Sequence, residues 1–310
     1  MLSNKISQAT PVAGVDLDGF GPKQSGKVRD AYLLDGRRIL ITTDRVSAFD
    51  RVVGLIPFKG QVLNRLTNWW FEKTKDLVSN HLLESPHPNV AVVRDAEPLP
   101  VEVIVRGYIT GVTGTSLWTL YHKGVDKPYG LDLPAGLKKN DKLPENVITP
   151  TTKGGPGQKD ERLTCAEVVE RGLVSAELWA EVERVALELF RRGQEVAEKA
   201  GLILVDTKYE FGLIDGKLSL IDEVHTPDSS RYWLAGTQAD PVYRDKELLR
   251  LWLAEVGFTG EGESPPIPQE KANEMAQVYC ELFEQLTGET IEVPGKSIEE
   301  AMLGLKSGVA

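Results

Sequence analysis

The sequence predicts an α+β protein of two subdomains, with antiparallel β structure concentrated early and long amphipathic helices later. Three observations carry this. Across residues 27–53, short β-branched runs such as Arg38-Ile-Leu-Ile-Thr-Thr43 alternate with turn formers such as Asp35-Gly36, a pattern of hairpins rather than of a helix. Beyond Thr164, apolar residues return at helical spacing behind capping residues. A chain of 310 residues also exceeds what one core easily fills, so a cleft between two bodies is the expected place for a ligand.

The elements follow in order. Residues 61–78 carry Val62, Leu63, Leu66, Trp69, Trp70 and Leu77 near helical spacing and end in Ser79-Asn80, which predicts a helix packed on the sheet. A second strand set, residues 90–93 and 101–105, precedes a Gly/Thr-rich turn over 107–115. The subdomain boundary is expected in this region, dividing a β-rich part, residues 1–97, from a larger part, residues 98–310. Residues 124–163 are rich in Pro, Gly and Lys with little periodicity, and so long a loop is expected to cover a ligand. Thr164-Cys-Ala-Glu167 is a capping-box pattern, Ser175 can cap the next helix and Gly201 can stop it. Residues 202–205 read as a strand, and residues 211–214 and 217–221 as a hairpin on Asp215-Gly216, a pair that accepts positive φ. From Leu248 the tail reads as mostly helical, with one helix over 271–286 and a capping box at Ser297-Ile-Glu-Glu300.

Composition excludes several function classes. A hydrophobic fraction of 41% and a charged fraction of 26% suit a packed globular chain rather than a disordered one. The net charge of −10 argues against a broad basic face for nucleic acid, although it leaves room for a small phosphorylated ligand. Two cysteines, Cys165 and Cys280, both in helix-like stretches, imply neither a disulfide framework nor a thiolate zinc site. The first residues lack the pattern of a signal peptide, and no run of about 18 apolar residues occurs, so a cytoplasmic protein without a membrane span is expected.

Charged and small residues cluster at a few places. Gly26-Lys27-Val28-Arg29 combines a glycine, which lets backbone N–H groups approach a phosphate, with two cations beside it. A turn followed by two solvated charges would use the same residues. Asp44-Arg45-Val46-Ser47-Ala48-Phe49-Asp50 follows an apolar strand and suits either substrate contacts or a capped turn with an ion pair. In Asp206-Thr-Lys208-Tyr-Glu210 the three charges share one face of an extended chain, and the hairpin returns with Asp222-Glu223. Carboxylates gathered from two strands suit a hard cation such as Mg²⁺, while cross-strand ion pairs are the simpler alternative. Arg106 and Arg231 each follow or open a strand-like segment, and a guanidinium can grip a phosphate with two parallel hydrogen bonds. The four histidines show no metal-ligand spacing, and neither a P-loop GKS/GKT nor a Gly-x-Gly-x-x-Gly fingerprint occurs.

Together these segments resemble the SAICAR synthetase family of purine synthesis. The matching stretches are Gly26-Lys-Val-Arg-Asp30, Thr43-Asp-Arg-Val-Ser-Ala-Phe-Asp50, Val103-Ile-Val-Arg-Gly-Tyr108, Val205-Asp-Thr-Lys-Tyr-Glu-Phe-Gly212 and Leu220-Ile-Asp-Glu-Val-His-Thr-Pro-Asp-Ser-Ser-Arg231. They run in family order over most of the chain, and the last is a family signature. The resemblance implies a small antiparallel N-terminal domain resembling a kinase small lobe, joined to a larger α+β ATP-binding domain. The strand and turn pattern agrees with that architecture but would not give it alone.

The resemblance also implies the reaction. ATP, carboxyaminoimidazole ribonucleotide (CAIR) and L-aspartate would give the succinocarboxamide SAICAR, ADP and phosphate. A carboxylate is a poor electrophile, whereas an acyl phosphate can lose phosphate to an attacking amine, which explains the ATP. By resemblance, Gly26 and Lys27 form the nucleotide-phosphate loop, and Glu102, Lys153 and Lys208 are further ATP contacts. Glu210 and Asp222 resemble Mg²⁺ ligands. Arg106, Ser116 and Arg231 resemble the grip on the ribonucleotide phosphate, and Ser47, Asp50 and Asp228 face the imidazole and aspartate, with Lys208 and Asp228 as the catalytic pair. Four departures stand out: His225 where an apolar residue is common, Tyr232 where Phe is common, a longer Gly111–Ser116 turn, and no histidine in Gln158-Lys-Asp-Glu161. Partners would be small molecules, not nucleic acid or membrane, and the chain could be a monomer or a homo-oligomer. A small-molecule kinase would share the phosphate loop and metal carboxylates but need no aspartate. A regulatory nucleotide-binding protein would turn nothing over and need no second set of phosphate-gripping arginines.

Overall fold

Turn residues cut the first third of the chain into short strands. In the computed structural model, which describes residues 2–34, 36–154 and 160–306, helix α1 (Leu2–Gln8) leads into β1 (Lys23–Ser25), β2 (Arg29–Leu34) and β3 (Arg37–Thr42). The hairpin β4 (Arg45–Ala48) and β5 (Arg51–Leu55), helix α2 (Lys59–Thr74), β6 (Ser79–Asn80), β7 (Leu82–His87) and β8 (Val90–Arg94) follow. Asp35 of the Asp35-Gly36 turn, and Gln158 and Lys159 of the long loop, lie outside the described residues. The first sheet has the order β1-β2-β3-β8-β7 and is antiparallel throughout.

The rest of the chain builds a larger sheet and its cover. It comprises β9 (Glu97–Tyr108), α3 (Leu117–His122), β10 (Lys142–Ile148), β11 (Thr151–Thr152), α4 (Cys165–Glu170) and α5 (Ala176–Lys199). Then come β12 (Leu202–Ile214), β13 (Lys217–Ile221), β14 (Ser230–Leu234), α6 (Glu247–Glu255), α7 (Gln269–Thr287) and α8 (Ile298–Lys306). The second sheet runs β10-β9-β12-β13-β6, with β11 beside β9 and β14 beside β12. The two-residue β6 reaches it from the first third of the chain and pairs parallel to β13. The chain is therefore α+β, with long central strands β9 and β12 antiparallel to each other.

Local chemistry explains most of the boundaries. Thr164 and Glu167 exchange side-chain and backbone bonds in a capping box, Ser175 caps α5, and Gly201 at φ 72° follows its last turn. Asp215 and Gly216 both take positive φ, 52° and 72°, as a two-residue hairpin turn requires. Ser297 and Glu300 bond each other's backbone N–H at the start of α8. Helix α2 differs from the expected 61–78: it begins two residues earlier and ends at Thr74, because Ser79-Asn80 leaves to join β13. The segment expected as a loop over 124–163 contains β10 and β11 at the border of the second sheet. Pro144 and a register irregularity between Lys142 and Val147 erase the period of two there, which an edge strand tolerates.

One apolar core underlies α2, α5, α7 and the second sheet; Trp70, Val103, Leu189, Leu204, Tyr209 and Phe283 are all buried in it. A smaller cluster sits on the first sheet, where Tyr32, Ile39, Ile41, Val90 and Val92 meet Val15, Leu17 and Phe20 and are closed by Ile298 and Met302 of α8. Among the described residues, no helix is long and apolar enough to cross a membrane.

Candidate active site

The alternation of β12 and its register against β9 decide which charges meet. Lys208 and Glu210 point to the same side, and Lys208 Nζ bonds Glu210 and reaches Glu102 Oε1 of β9 at 3.0 Å. Asp222 follows the end of β13 at φ 61°, a left-handed conformation that turns its carboxylate back toward Lys208, 3.9 Å away. Lys153, just past β11, bonds Glu210, and Arg29 at the start of β2 bonds Asp222 and lies 2.7 Å from Glu223. Burial opposes the charges of Arg29, Lys208 and Asp222, but their partners outweigh it. Arg29 and Lys208 hold Asp222 far below the usual carboxylate range, while Glu210, Asp222 and Glu102 hold Lys208 above the ordinary lysine value. Burial raises Glu102.

Two adjacent cavities open on this network. One, about 320 Å³, is lined by Gly26, Lys27, Arg29, Ser47 and Asp222, among others. The other, about 380 Å³, is lined by Asp50, Glu102, Arg106, Asp206, Arg231 and Arg250, among others. Lys208, Asp228 and Ser229 line both, so these residues form the partition. In the second cavity Arg106 and Arg231 share Asp206 Oδ2, at 2.8 and 2.5 Å, and Arg106 Nε donates to Thr149 at 2.9 Å. One carboxylate thus fixes two guanidinium groups on the wall of this cavity, and Arg231 Nε also lies 3.9 Å from Glu247. A larger cavity of about 990 Å³ lies elsewhere, between the N-terminal segment and residues 293–300, and holds none of these charges.

Asp228 is fixed more firmly than a free acid or base would be. Lys59 Nζ lies 3.0 Å and Lys246 Nζ 3.3 Å from its Oδ2, and Tyr279 donates to its Oδ1 at 2.7 Å. Burial works against ionisation, yet Lys246, Lys59 and the Tyr279 hydroxyl together keep it well below the usual carboxylate range. Burial lowers Lys246.

Comparison with known proteins decides the family. A sequence model described as SAICAR synthetase matches residues 23–267. A phosphoribosylaminoimidazole-succinocarboxamide synthase from Legionella pneumophila (strain Paris) is 48% identical over 282 residues, 87% of this chain and 89% of the relative. The chain belongs to the SAICAR synthetase family. Its relatives include a chloroplastic phosphoribosylaminoimidazole-succinocarboxamide synthase of Arabidopsis thaliana, 47% identical over 301 residues, 94% of this chain and 72% of the relative. The SAICAR synthase of Saccharomyces cerevisiae, solved with SAICAR, superposes with a TM-score of 0.79 at 33% identity, over 91% of this chain and all of that one. A SAICAR synthetase solved with ADP has the same fold, with a TM-score of 0.68 at 22% identity, over 88% of this chain and 100% of that one. As a SAICAR synthetase family member, the chain is a ligase of purine biosynthesis.

Against the family expectation, the structure gathers Gly26, Lys27, Ser47, Lys208, Asp222 and Asp228 around one cavity and Asp50, Glu102, Arg106, Lys208, Asp228 and Arg231 around the other. Lys153 and Glu210 join through the Lys208 network. Ser116 is placed differently: it caps α3, its hydroxyl donating to Thr119 Oγ1 at 2.8 Å and accepting from the Thr119 N–H. Lys27 and Asp50, expected on separate ligands, form an exposed ion pair at 2.6 Å that a ligand can break at little cost. Among the described residues, no three His, Cys, Asp or Glu side chains gather in an arrangement that could hold a metal unaided. Glu210 and Asp222 are only two, which suits Mg²⁺ sharing its shell with phosphate oxygens and water. Sequence reasoning missed Lys59, Lys246 and Arg250. Lys246 and Arg250, four residues apart at the start of α6, were findable as two cations on one helix face.

Proposed function

We propose that this chain joins the carboxylate of CAIR to the amine of L-aspartate, with ATP converted to ADP and phosphate, in the cytoplasm. The observation that carries the reading is the pair of cavities meeting at Lys208, Asp228 and Ser229. The cavity with Gly26, Lys27 and Asp222 would take the ATP phosphates. The cavity with Arg106, Arg231 and Arg250 would take the ribonucleotide phosphate, and the CAIR carboxylate would lie at the partition. The division at residues 97/98 would then separate a lobe bearing the phosphate loop from one bearing the arginines. That a relative of 33% identity was solved with SAICAR, and a protein of the same fold with ADP, supports a ribonucleotide and an adenine nucleotide as the two ligands.

The CAIR carboxylate oxygen attacks the γ-phosphorus, the β–γ bridge breaks, and ADP leaves an acyl phosphate. The aspartate ammonium first loses a proton to water; the free amine then attacks the acyl carbon, the C–O bond to phosphate breaks, and the nitrogen passes its remaining extra proton to the departing phosphate as the amide forms. Lys208 faces the transferring phosphoryl group and offsets its charge. Mg²⁺, which Glu210 and Asp222 would hold, would neutralise phosphate charge. Asp228, pinned as an anion by Lys59 and Lys246, orients the aspartate ammonium by charge rather than by exchanging protons.

The test is mass-spectrometric product analysis with Mg-ATP, CAIR and aspartate, omitting each in turn. SAICAR formed with equimolar ADP, and absent in every omission, is expected. ADP formed without aspartate and without an amide product would move the reading to a kinase.

A further inference from the structure

Arg45 lines neither cavity beside the phosphate loop, yet it holds that loop. Its Nη2 donates to the Gly26 carbonyl and its Nε to the Lys27 carbonyl, both at 3.2 Å. Nη2 and Nη1 also bond the Asp30 carboxylate, at 2.8 and 3.4 Å, and Nη1 donates to the Ala13 carbonyl at 2.6 Å. The preceding residue, Asp44, accepts the N–H groups of Val12 and Gly60 at 2.8 Å, and its own N–H donates to Val12. One dipeptide therefore ties together the N-terminal segment at Val12-Ala13, the turn between β1 and β2, and the first turn of α2.

The consequence for the loop follows from peptide geometry. In a planar trans peptide the carbonyl and the next N–H point in opposite directions. With the Gly26 and Lys27 carbonyls turned to Arg45, the N–H groups of Lys27 and Val28 point away from it. Among the described residues those two N–H groups donate to no protein acceptor. Lys27 and Val28 also line the cavity that holds Asp222 and Lys208. Consecutive free amides beside a cation form a cradle for an anion.

We propose that Arg45 is a positioning residue: it turns the Lys27 and Val28 amides toward the nucleotide phosphates without touching them. This rests on the reading of Gly26-Lys27 as the nucleotide loop. Arginine is required because its planar fork spans Gly26, Lys27, Ala13 and Asp30 at once, whereas one lysine nitrogen cannot.

The experiment compares wild type with Arg45→Lys, Arg45→Gln and Lys27→Ala by steady-state kinetics, Mg-ATP binding and amide hydrogen exchange. For Arg45→Lys the KM and Kd for Mg-ATP are expected to rise about tenfold or more, the scale of losing hydrogen bonds made by a charged donor. KM for CAIR and for aspartate should stay within about twofold, and kcat should change less than KM for ATP. Without nucleotide, exchange across residues 23–30 should speed up in the variant. An equal rise for all three substrates, or unchanged ATP affinity with unchanged exchange, overturns the proposal. If Arg45→Gln does not fold, Asp30→Asn, which removes one anchor of Arg45, is expected to shift ATP affinity in the same direction by less. Failure of the loop reading itself is separable: Lys27→Ala would then leave ATP affinity unchanged and Mg-ATP would not protect residues 26–28, whatever Arg45 does.

Discussion

Asp222 is held by charge before any ligand arrives, between Arg29 and Lys208. If Asp222 holds Mg²⁺ as proposed, Asp222→Asn is expected to cut turnover by about a hundredfold or more, because the site loses an anion that would place cations and metal around the phosphates. Arg29 keeps Glu223 as a partner, so the variant should keep its circular dichroism and melt cooperatively; full activity would remove Asp222 from the proposed metal site. Arg231→Ala is expected to raise KM for CAIR about tenfold to a hundredfold, leaving the Kd for Mg-ATP nearly unchanged. An equal loss of both would contradict the separation into two cavities. These residues were legible in the sequence because each sits in a short, chemically dense motif. Lys59 was not. It opens an apolar helix 169 positions before Asp228, and only the packing of α2 beside α7 brings the two together.

Elements were legible wherever local chemistry decides them. The capping boxes at Thr164 and Ser297 and the Asp215-Gly216 turn stand where the sequence places them. The sheets were not legible as sheets, because pairing joins distant residues: β6 crosses to β13, and β10 hides its period behind Pro144. The entry of α2 is equally cryptic. Phe58 takes φ 62°, and a Cβ on Gly60 would lie 2.2 Å from the Thr42 carbonyl oxygen and 2.5 Å from Asn89 Nδ2. Since the first contact is backbone, Gly60→Ala must separate α2 from β3. A loss of about 1–3 kcal/mol is expected, read as a lower urea midpoint, with a larger proportional loss of activity because Lys59 moves with it. A variant as stable as wild type would show that β3 yields freely.

At the scale of the whole molecule, two buried histidines tie stability to pH. Burial lowers His81 to about 4 and His225 to about 3; His225 packs against Trp70 and bonds Tyr209. Unfolding frees both to bind protons near pH 6.5. Their contribution is therefore complete above about pH 6.5 and shrinks as pH falls toward the folded values. Asp245 and Asp44, raised by burial to about 7 and about 6, bind protons in the folded state over the same window and act in the opposite direction. The histidine part is therefore read by difference: between about pH 7 and pH 5 the urea midpoint of His225→Leu should change by less in the downward direction than that of wild type, and identical profiles would refute this. The same long-range closure shapes synthesis. The apolar face of the first sheet, whose last strand ends at Arg94, is finished by Ile298 and Met302. At roughly 5–20 residues per second on the ribosome, that face waits about ten to forty seconds for its final helix. During that interval the nascent chain lacks the helix that closes this apolar surface, so the last residues of the chain are expected to govern how long it stays exposed to aggregation.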